Sequence, residues 1–402
     1  MKIVQINAVY GVGSTGVLVQ DIHNFLEKEG HQSYVFWATK CSGLKDKKNI
    51  VRIGNTVDHK IHALADRILH NQGFNSSVST RILCGKIKKI NPDVIHLHNL
   101  HSNYINLSVL LKFIAKNNYP LVVTLHDCWF FTGGCMHYLQ HNCNRWKDGC
   151  SLCEINKSAY KIYAKKNNLF NNITRLAVVG VSNWTMESAK NSLLRCAPIF
   201  SYVYNWIDPD VYRIRNSKDY YVDKYGLDKN KKIVLCVAQA WEKGGYKGED
   251  DILYLNKNIT GFAQIVMVGK NVNLPKDFGV VFIDYIEDKQ ELIDLYALAD
   301  IHVIASKYET FGMTIIESMA MGTPVIAYKN TGAKEVVHES CGVLVEDGNK
   351  EELLKAVTTM LNADLNCYKA RCKKWVKDNF GIEEQIKKYC LVYKKLNGEK
   401  YE

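Results

Sequence analysis

A chain of 402 residues is too long for one compact core and argues for two domains. Its 47% apolar and 23% charged residues are ordinary globular composition, and 6 prolines without a low-complexity tract leave little room for disorder. No apolar run approaches the ~20 residues of a membrane span, and the formal net charge is +11.

That charge is unevenly placed. Residues 1–205 hold 24 Lys and Arg against 11 Asp and Glu, and residues 206–402 hold 28 against 30. A basic first half beside a near-neutral second half points to an anionic partner: membrane phospholipid, a lipid-pyrophosphate or nucleic acid. A generally Lys-rich solvated surface is the plainer reading.

In chain order, Met1–Asn7 reads as a strand rather than a signal peptide, which predicts a cytoplasmic protein. Further apolar, β-branched runs at 93–98, 121–125 and 176–181 predict strands. A second set follows at 232–238, 263–268, 280–283, 301–305, 324–327 and 342–345. Strands alternating with helical patterns imply parallel sheets, and two such sets imply two doubly wound domains. The boundary falls near Asn205–Asp210, residues 214–231 fit a short helix plus linker, and Ile382–Leu396 is helical in pattern.

Ligands of an open parallel sheet sit beyond the carboxyl ends of its strands. After the first strand comes Gly11-Val12-Gly13-Ser14-Thr15-Gly16, before a helix expected from about Val17. Such a turn can bring backbone N–H groups to a phosphate, or can simply be a tight turn. It matches neither a dinucleotide fingerprint nor a Walker A loop. His126 follows the strand at 121–125, where it can bond a substrate hydroxyl or serve the structure. Lys243 and Lys247 lie in the Gly-rich loop after the strand at 232–238. There they can neutralise a leaving diphosphate or lie in a solvated loop.

The segment Ser306–Glu317 follows the strand at 301–305 and leads into a helix. Glu309 in the loop and Glu317 in the first turns bracket free helix-start amides, which suits a sugar diphosphate. Thr314 and Glu317 also read as a capping box.

Two segments carry separate expectations. In residues 157–170 lysines and aromatics interleave, which predicts a helix at an anionic interface or a helix with Tyr160, Tyr163 and Phe170 in the core. Cys135, Cys143, Cys150 and Cys153 are four of 13 cysteines. They could close a structural zinc site, with His137 able to replace one thiolate, or remain reduced thiols or labile disulfides.

Together these motifs resemble the retaining glycosyltransferases of family 4. The resemblance runs in order through the Gly-Ser-Thr-Gly loop, Thr124–Asp127, Asn205-Trp206-Ile207-Asp208 and Lys247-Gly248. It continues through Glu309 and Glu317, Gly322–Ile326 and Gly332–Glu335. The stretch from Leu125 to Cys135 looks like the exopolysaccharide, colanic-acid subgroup.

The resemblance implies an α/β GT-B fold of two Rossmann-like doubly wound parallel-sheet domains facing a central cleft. Residues 1–205 would bind acceptor and 206–380 the nucleotide sugar, with the 381–402 helix packing back on the first domain. It implies that His126, Glu309 and Lys247 are catalytic and that no metal cofactor is needed for catalysis. Glu309 would hold the sugar hydroxyls, Glu317 the ribose, and the amides of Phe311, Gly312, Met313 and Thr314 the sugar and phosphate. Lys243, Lys247 and the turn Gly13, Ser14, Thr15 and Gly16 would meet the diphosphate. The implied partners are a nucleotide-diphosphate sugar donor, a glycan or polyprenyl-pyrophosphate-linked acceptor and an anionic membrane surface, with no nucleic acid. The chain would then be cytoplasmic, peripheral on the inner face of the membrane.

Two departures stand out: Trp241 where the family commonly has Arg, and Trp206 where it has Gly. Rivals on the same fold are a sugar-nucleotide epimerase, a phosphorylase with pyridoxal phosphate on a Lys, or a binding protein without turnover.

Overall fold

The computed structural model describes residues 1–43, 48–273 and 279–398. The chain divides into two compact units. The first is Met1–Tyr204 together with the C-terminal segment from Glu383; the second is Asn205–Ile382.

The first unit is built on a seven-stranded parallel sheet. Its strands are β1 (Lys2–Ile6), β2 (Gln32–Trp37), β3 (Ile50–Arg52), β4 (Val94–Leu97), β5 (Leu121–Leu125), β6 (Leu176–Gly180) and β7 (Ile199–Tyr202). They lie in the order β3-β2-β1-β4-β5-β6-β7. β4, β5 and β6 are buried along their whole length, as continuous apolar runs in a two-sided parallel sheet should be. Helix α1 (Gly13–Lys28) follows β1, and α2 (Thr56–Leu69) and α3 (Ser77–Ile90) lie between β3 and β4. Helix α4 (Ala159–Asn171) precedes β6.

The second unit repeats the plan with β8 (Lys232–Trp241), β9 (Ala263–Asn271), β10 (Val281–Ile283), β11 (Ile301–Ile304), β12 (Val325–Tyr328) and β13 (Gly342–Val345). Their order is β10-β9-β8-β11-β12-β13, again all parallel. Both sheets reverse direction of winding once, beside β1 and β4 in the first unit and beside β8 and β11 in the second. These switch points are where doubly wound sheets bind ligands. Helix α5 (Glu249–Ile259) follows β8, and α6 (Met313–Ala320) follows β11.

The last helix, α7 (Ile382–Leu396), belongs to the first unit from Glu383 onward. It is anchored by polar contacts into the sheet: Tyr393 Oη lies 2.8 Å from His96 Nδ1, and Thr124 Oγ1 donates to Tyr389 Oη at 3.0 Å. Arg175 donates to the Leu396 carbonyl at 2.9 Å.

Three details depart from expectation. α1 starts at Gly13, not near Val17, so the glycine turn is itself the helix's first turn. Strands β2, β3 and β7 were not expected; they begin with polar residues, are short, or sit at a half-exposed edge. Helix α4 turns Ile162, Lys166, Leu169 and Phe170 into the core, with Tyr160 exposed and Tyr163 half-buried. Lys161 and Lys165 stay on the outer face, but Lys166 is turned inward. Lys166 Nζ donates to the carbonyls of Trp129 at 2.5 Å and Thr132 at 3.3 Å, and burial pushes it down to about 7. Among the described residues no helix is long and apolar enough to cross a membrane.

Candidate functional site

In the second unit both switch-point strands deliver a charged side chain. The turn after β8 ends at Gly248, the N-cap of α5, with φ 74°. A Cβ there would lie 2.0 Å from the Ala305 carbonyl oxygen, so glycine lets this turn press against the end of β11. That contact brings Lys247 to the loop after β11, where Nζ donates to Glu309 Oε1 at 2.6 Å. Both side chains are about four-fifths buried. Burial alone would lower the Lys247 pKa; the Glu309 charge and hydrogen bond, with Tyr246, outweigh it and leave it raised.

Glu309 is held from behind. Its N–H donates to Thr331 Oγ1 at 2.8 Å, and its carbonyl accepts from Thr331 Oγ1 and the Gly332 N–H. Gly332 is needed for this approach: a Cβ would stand 2.5 Å from the Thr310 carbonyl oxygen.

Helix α6 begins just beyond. Its N-cap is Gly312 at φ 97°, and no side chain caps it. Thr314 is thus inside the helix, and the capping-box reading of Thr314 and Glu317 does not hold. The first-turn amides, at Met313 and Thr314, have no intrahelical acceptors and carry the positive end of the helix dipole. Glu317 lies one turn along, accepting from Tyr212 Oη and Tyr296 Oη at 3.1 Å each. Burial raises its pKa against the opposing pull of Lys289 and the two tyrosines.

Lys243 is exposed, and its N–H donates to Asn273 Oδ1 at 2.7 Å. Trp241 is a core residue whose Nε1 donates to the Val268 carbonyl at 2.9 Å, so it does not take up the work of an arginine. Trp206 is likewise buried.

In the first unit the Gly13, Ser14, Thr15 and Gly16 turn opens α1, with Val12 as N-cap and no side-chain cap. Gly11 N–H is taken by the Gly16 carbonyl at 2.8 Å. His126 follows β5, and its Nε2 lies 3.1 Å from Nδ1 of His98, which follows β4. Burial keeps both imidazoles neutral, pushing His126 down to about 4 and His98 well below the ordinary histidine value. Next to them, Asp127 Oδ2 pairs with His101 Nε2 at 2.8 Å, and Oδ1 accepts the Trp129 N–H. Burial would raise the Asp127 pKa, but these partners hold it below the usual carboxylate value.

The cysteines line one cavity of about 190 Å³. They do not form the expected metal site: among the described residues no group of three His, Cys, Asp or Glu side chains is placed to hold a metal ion. Cys150 Sγ is engaged by the Gly133 N–H at 3.1 Å, and burial pushes its thiol up to about 11 and raises that of Cys135.

Tyr212, Tyr296, Thr331, His98 and His101 escaped the sequence reading. The closely spaced His96, His98 and His101 at the end of one predicted strand were the available signal.

Residues 15–211 match the model of Glycosyltransferase Family 4, and residues 217–378 that of Glycosyl transferases group 1. The two matches adjoin and span most of the chain. A relative, the putative colanic acid biosynthesis glycosyl transferase WcaC of Escherichia coli, is 26% identical over 396 residues, covering 89% of each chain. N-acetyl-alpha-D-glucosaminyl L-malate synthase of Bacillus anthracis is 21% identical, covering 95% of this chain and 94% of its own. Among solved structures, a glycosyltransferase from Rickettsia africae superposes with a TM-score of 0.67 at 19% identity, covering 98% of both chains. HepE of Anabaena, in complex with UDP and glucose, does so at 0.67 and 17%, covering 98% of this chain and all of its own. The fold is GT-B.

Proposed function

This chain belongs to glycosyltransferase family 4, and on that premise we propose a retaining transfer of a sugar from a nucleotide-diphosphate sugar. The acceptor is a glycan or a polyprenyl-pyrophosphate-linked oligosaccharide in bacterial surface polysaccharide biosynthesis, met at the cytoplasmic face of the membrane. The observation that carries the reading is the arrangement of Lys247, Glu309, the uncapped start of α6 and Glu317 within one unit. The colanic acid biosynthesis glycosyl transferase among the relatives supports the class of product, and HepE's complex with UDP and glucose supports the class of donor.

In this mechanism Glu317 binds the ribose and Glu309 the sugar hydroxyls. The amides from Phe311 to Thr314 receive sugar and phosphate oxygens. As the glycosidic bond to the diphosphate breaks, negative charge grows on the leaving oxygen, and Lys247 and the helix start stabilise it. The leaving phosphate takes the acceptor's proton, and the acceptor attacks from the same face. Lys243 and the turn from Gly13 to Gly16 are assigned oxyanion binding on their own units. His126, neutral, donates or accepts one hydrogen bond to a substrate hydroxyl on its own unit. These groups supply the positive charge that a metal would otherwise bring.

A thermal-shift panel of UDP-, GDP-, ADP- and dTDP-sugars tests the reading, because a ligand of the native state raises apparent stability by mass action. One nucleotide should stand out, and transfer should persist in EDTA with retained anomeric configuration. Release of free nucleotide with an epimerised sugar would make it an epimerase; binding without turnover would make it a binding protein.

A further inference from the structure

Helix α2 is amphipathic in the wrong sense for a soluble protein. Val57, Ile61, Leu64 and Ile68 are spaced by 4, 3 and 4 residues and so form one stripe along the helix. Each is more than half exposed, whereas the one buried side chain of α2 is His62. On α3, Val78 and Ile82 repeat the pattern one turn apart and are also more than half exposed. The two helices are tied together where His62 Nδ1 meets Ser76 Oγ at 2.9 Å. Exposed aliphatic side chains aligned in this way mark an interaction site.

The charges around it choose the partner. Residues 51–90 hold seven Lys and Arg against two Asp, a net +5, and all seven cations are exposed. On the helical wheel Lys60 and Arg67 run along one flank of the stripe, Asp58 stands on the other flank, and Asp66 lies on the opposite face. A second copy of this chain would bring like charges together, and nucleic acid has no use for a row of aliphatic side chains. An apolar stripe flanked by cations fits the boundary between anionic headgroups and acyl chains.

We propose that the outer side of α2, extended by Val78 and Ile82 of α3, is a docking surface for an anionic lipid bilayer. The aliphatic stripe enters the acyl boundary, and Lys60, Arg67 and Arg81 pair with headgroup phosphates. The surface lies on α2 rather than α4, whose apolar side is spent on the core. It stands on exposure and charge alone and holds whatever sugar the protein transfers.

The full-length protein is sedimented with vesicles of phosphatidylcholine alone and of phosphatidylcholine with phosphatidylglycerol. Wild type is expected to pellet with the anionic vesicles, less so as salt rises. Ile61→Glu with Ile68→Glu should cut the bound fraction about tenfold or more. Both side chains are exposed, so thermal unfolding should be unchanged. Leu64→Trp adds a local reporter whose emission should shift to the blue on anionic vesicles only. The proposal is overturned if wild type stays in the supernatant at low salt, or if the double variant pellets like wild type. A vesicle-inert protein that dimerises through Ile61 and Ile68 would give the surface to a second copy instead.

Discussion

Lys247 Nζ donates to Glu309 Oε1 across 2.6 Å, joining two residues 62 positions apart at the adjoining ends of β8 and β11. The pair sets a cation assigned to the diphosphate against a carboxylate assigned to the sugar. The contact fixes the two side chains in place before ligand arrives. Preorganised charge costs no rearrangement at the moment of reaction.

Lys247→Ala should therefore weaken nucleoside diphosphate binding by roughly 10- to 100-fold, the loss of a charge-assisted contact. Binding of the free sugar should change far less. Isothermal titration with the diphosphate and with the sugar separates the two. Equal diphosphate affinity in wild type and variant would remove Lys247 from the site.

The two carboxylates should fail differently. Glu309→Gln leaves the shape but loses the charge that orients the sugar, and kcat should fall by about 10²-fold or more. Glu317→Gln keeps one oxygen to accept from one tyrosine and turns its amide N–H toward the other, whose hydroxyl can accept, so the fold should stand while nucleotide affinity drops. Steady-state kinetics on both variants decides; near-normal kinetics in each would leave the site unassigned.

How much of this was legible in the sequence depends on distance along the chain. Strands rich in apolar, β-branched residues, such as Leu121–Leu125 and Gly342–Val345, and the helix Ile382–Leu396 were readable to the residue, because local pattern alone specifies them. β2 was not, because it opens with Gln32 and Ser33. Ser33 is buried only because its hydroxyl meets His23 Nδ1 at 2.9 Å. Glu309 and Lys247 were found from strand ends and turn chemistry. Tyr212 could not be, since it reaches Glu317 from 105 residues away. Lys166 misled for the same reason: its acceptors, the carbonyls of Trp129 and Thr132, lie on a distant loop that no helical periodicity reveals.

The buried histidines predict a pH dependence of stability. His96, His98 and His302 are fully buried, and burial pushes each of them down, His302 to about 3. Above the ordinary histidine value of about 6.5 both states are neutral and the fold loses nothing. As pH falls below it, the unfolded chain takes up protons that the native state refuses, so stability drops by up to about 1.4 kcal/mol per pH unit for each such histidine. Urea midpoints measured at neutral pH and at mildly acidic pH should show this fall, and His302→Leu should reduce its slope. An unchanged midpoint would mean that the native state takes up these protons as readily as the unfolded chain does.

His98 should orient His126. The Nε2 of His98 is buried without a hydrogen-bond partner. A bare lone pair is tolerated in that position better than a bare N–H. Its proton is therefore placed on Nδ1, donated to His126 Nε2 at 3.1 Å, which leaves the proton of His126 on Nδ1. His98→Phe keeps the ring volume and removes the donor. We expect lower kcat with unchanged nucleotide affinity, and a changed tautomer of His126 in ¹⁵N imidazole spectra. His98→Asn, which restores an N–H near the same place, should recover part of the loss. If the spectra are the same in all three proteins, His98 is only packing.

Two glycines at helix starts should respond differently to alanine. Gly248 and Gly13 both have positive φ, 74° and 64°. That conformation alone costs an alanine about 1–2 kcal/mol. At Gly13 nothing lies within 4 Å of an added Cβ, so the backbone term is the whole cost and Gly13→Ala should fold. At Gly248 the Cβ would lie 2.0 Å from the Ala305 carbonyl oxygen, and backbone cannot swing aside as a flexible side chain can. The turn after β8 must then move away from β11, separating Lys247 from Glu309. Gly248→Ala should lose more stability than Gly13→Ala and also lose diphosphate affinity, to about the level of Lys247→Ala. Chemical denaturation and nucleotide titration on the two variants test this. A Gly248→Ala protein with wild-type affinity would show that the approach of the two loops does not position Lys247.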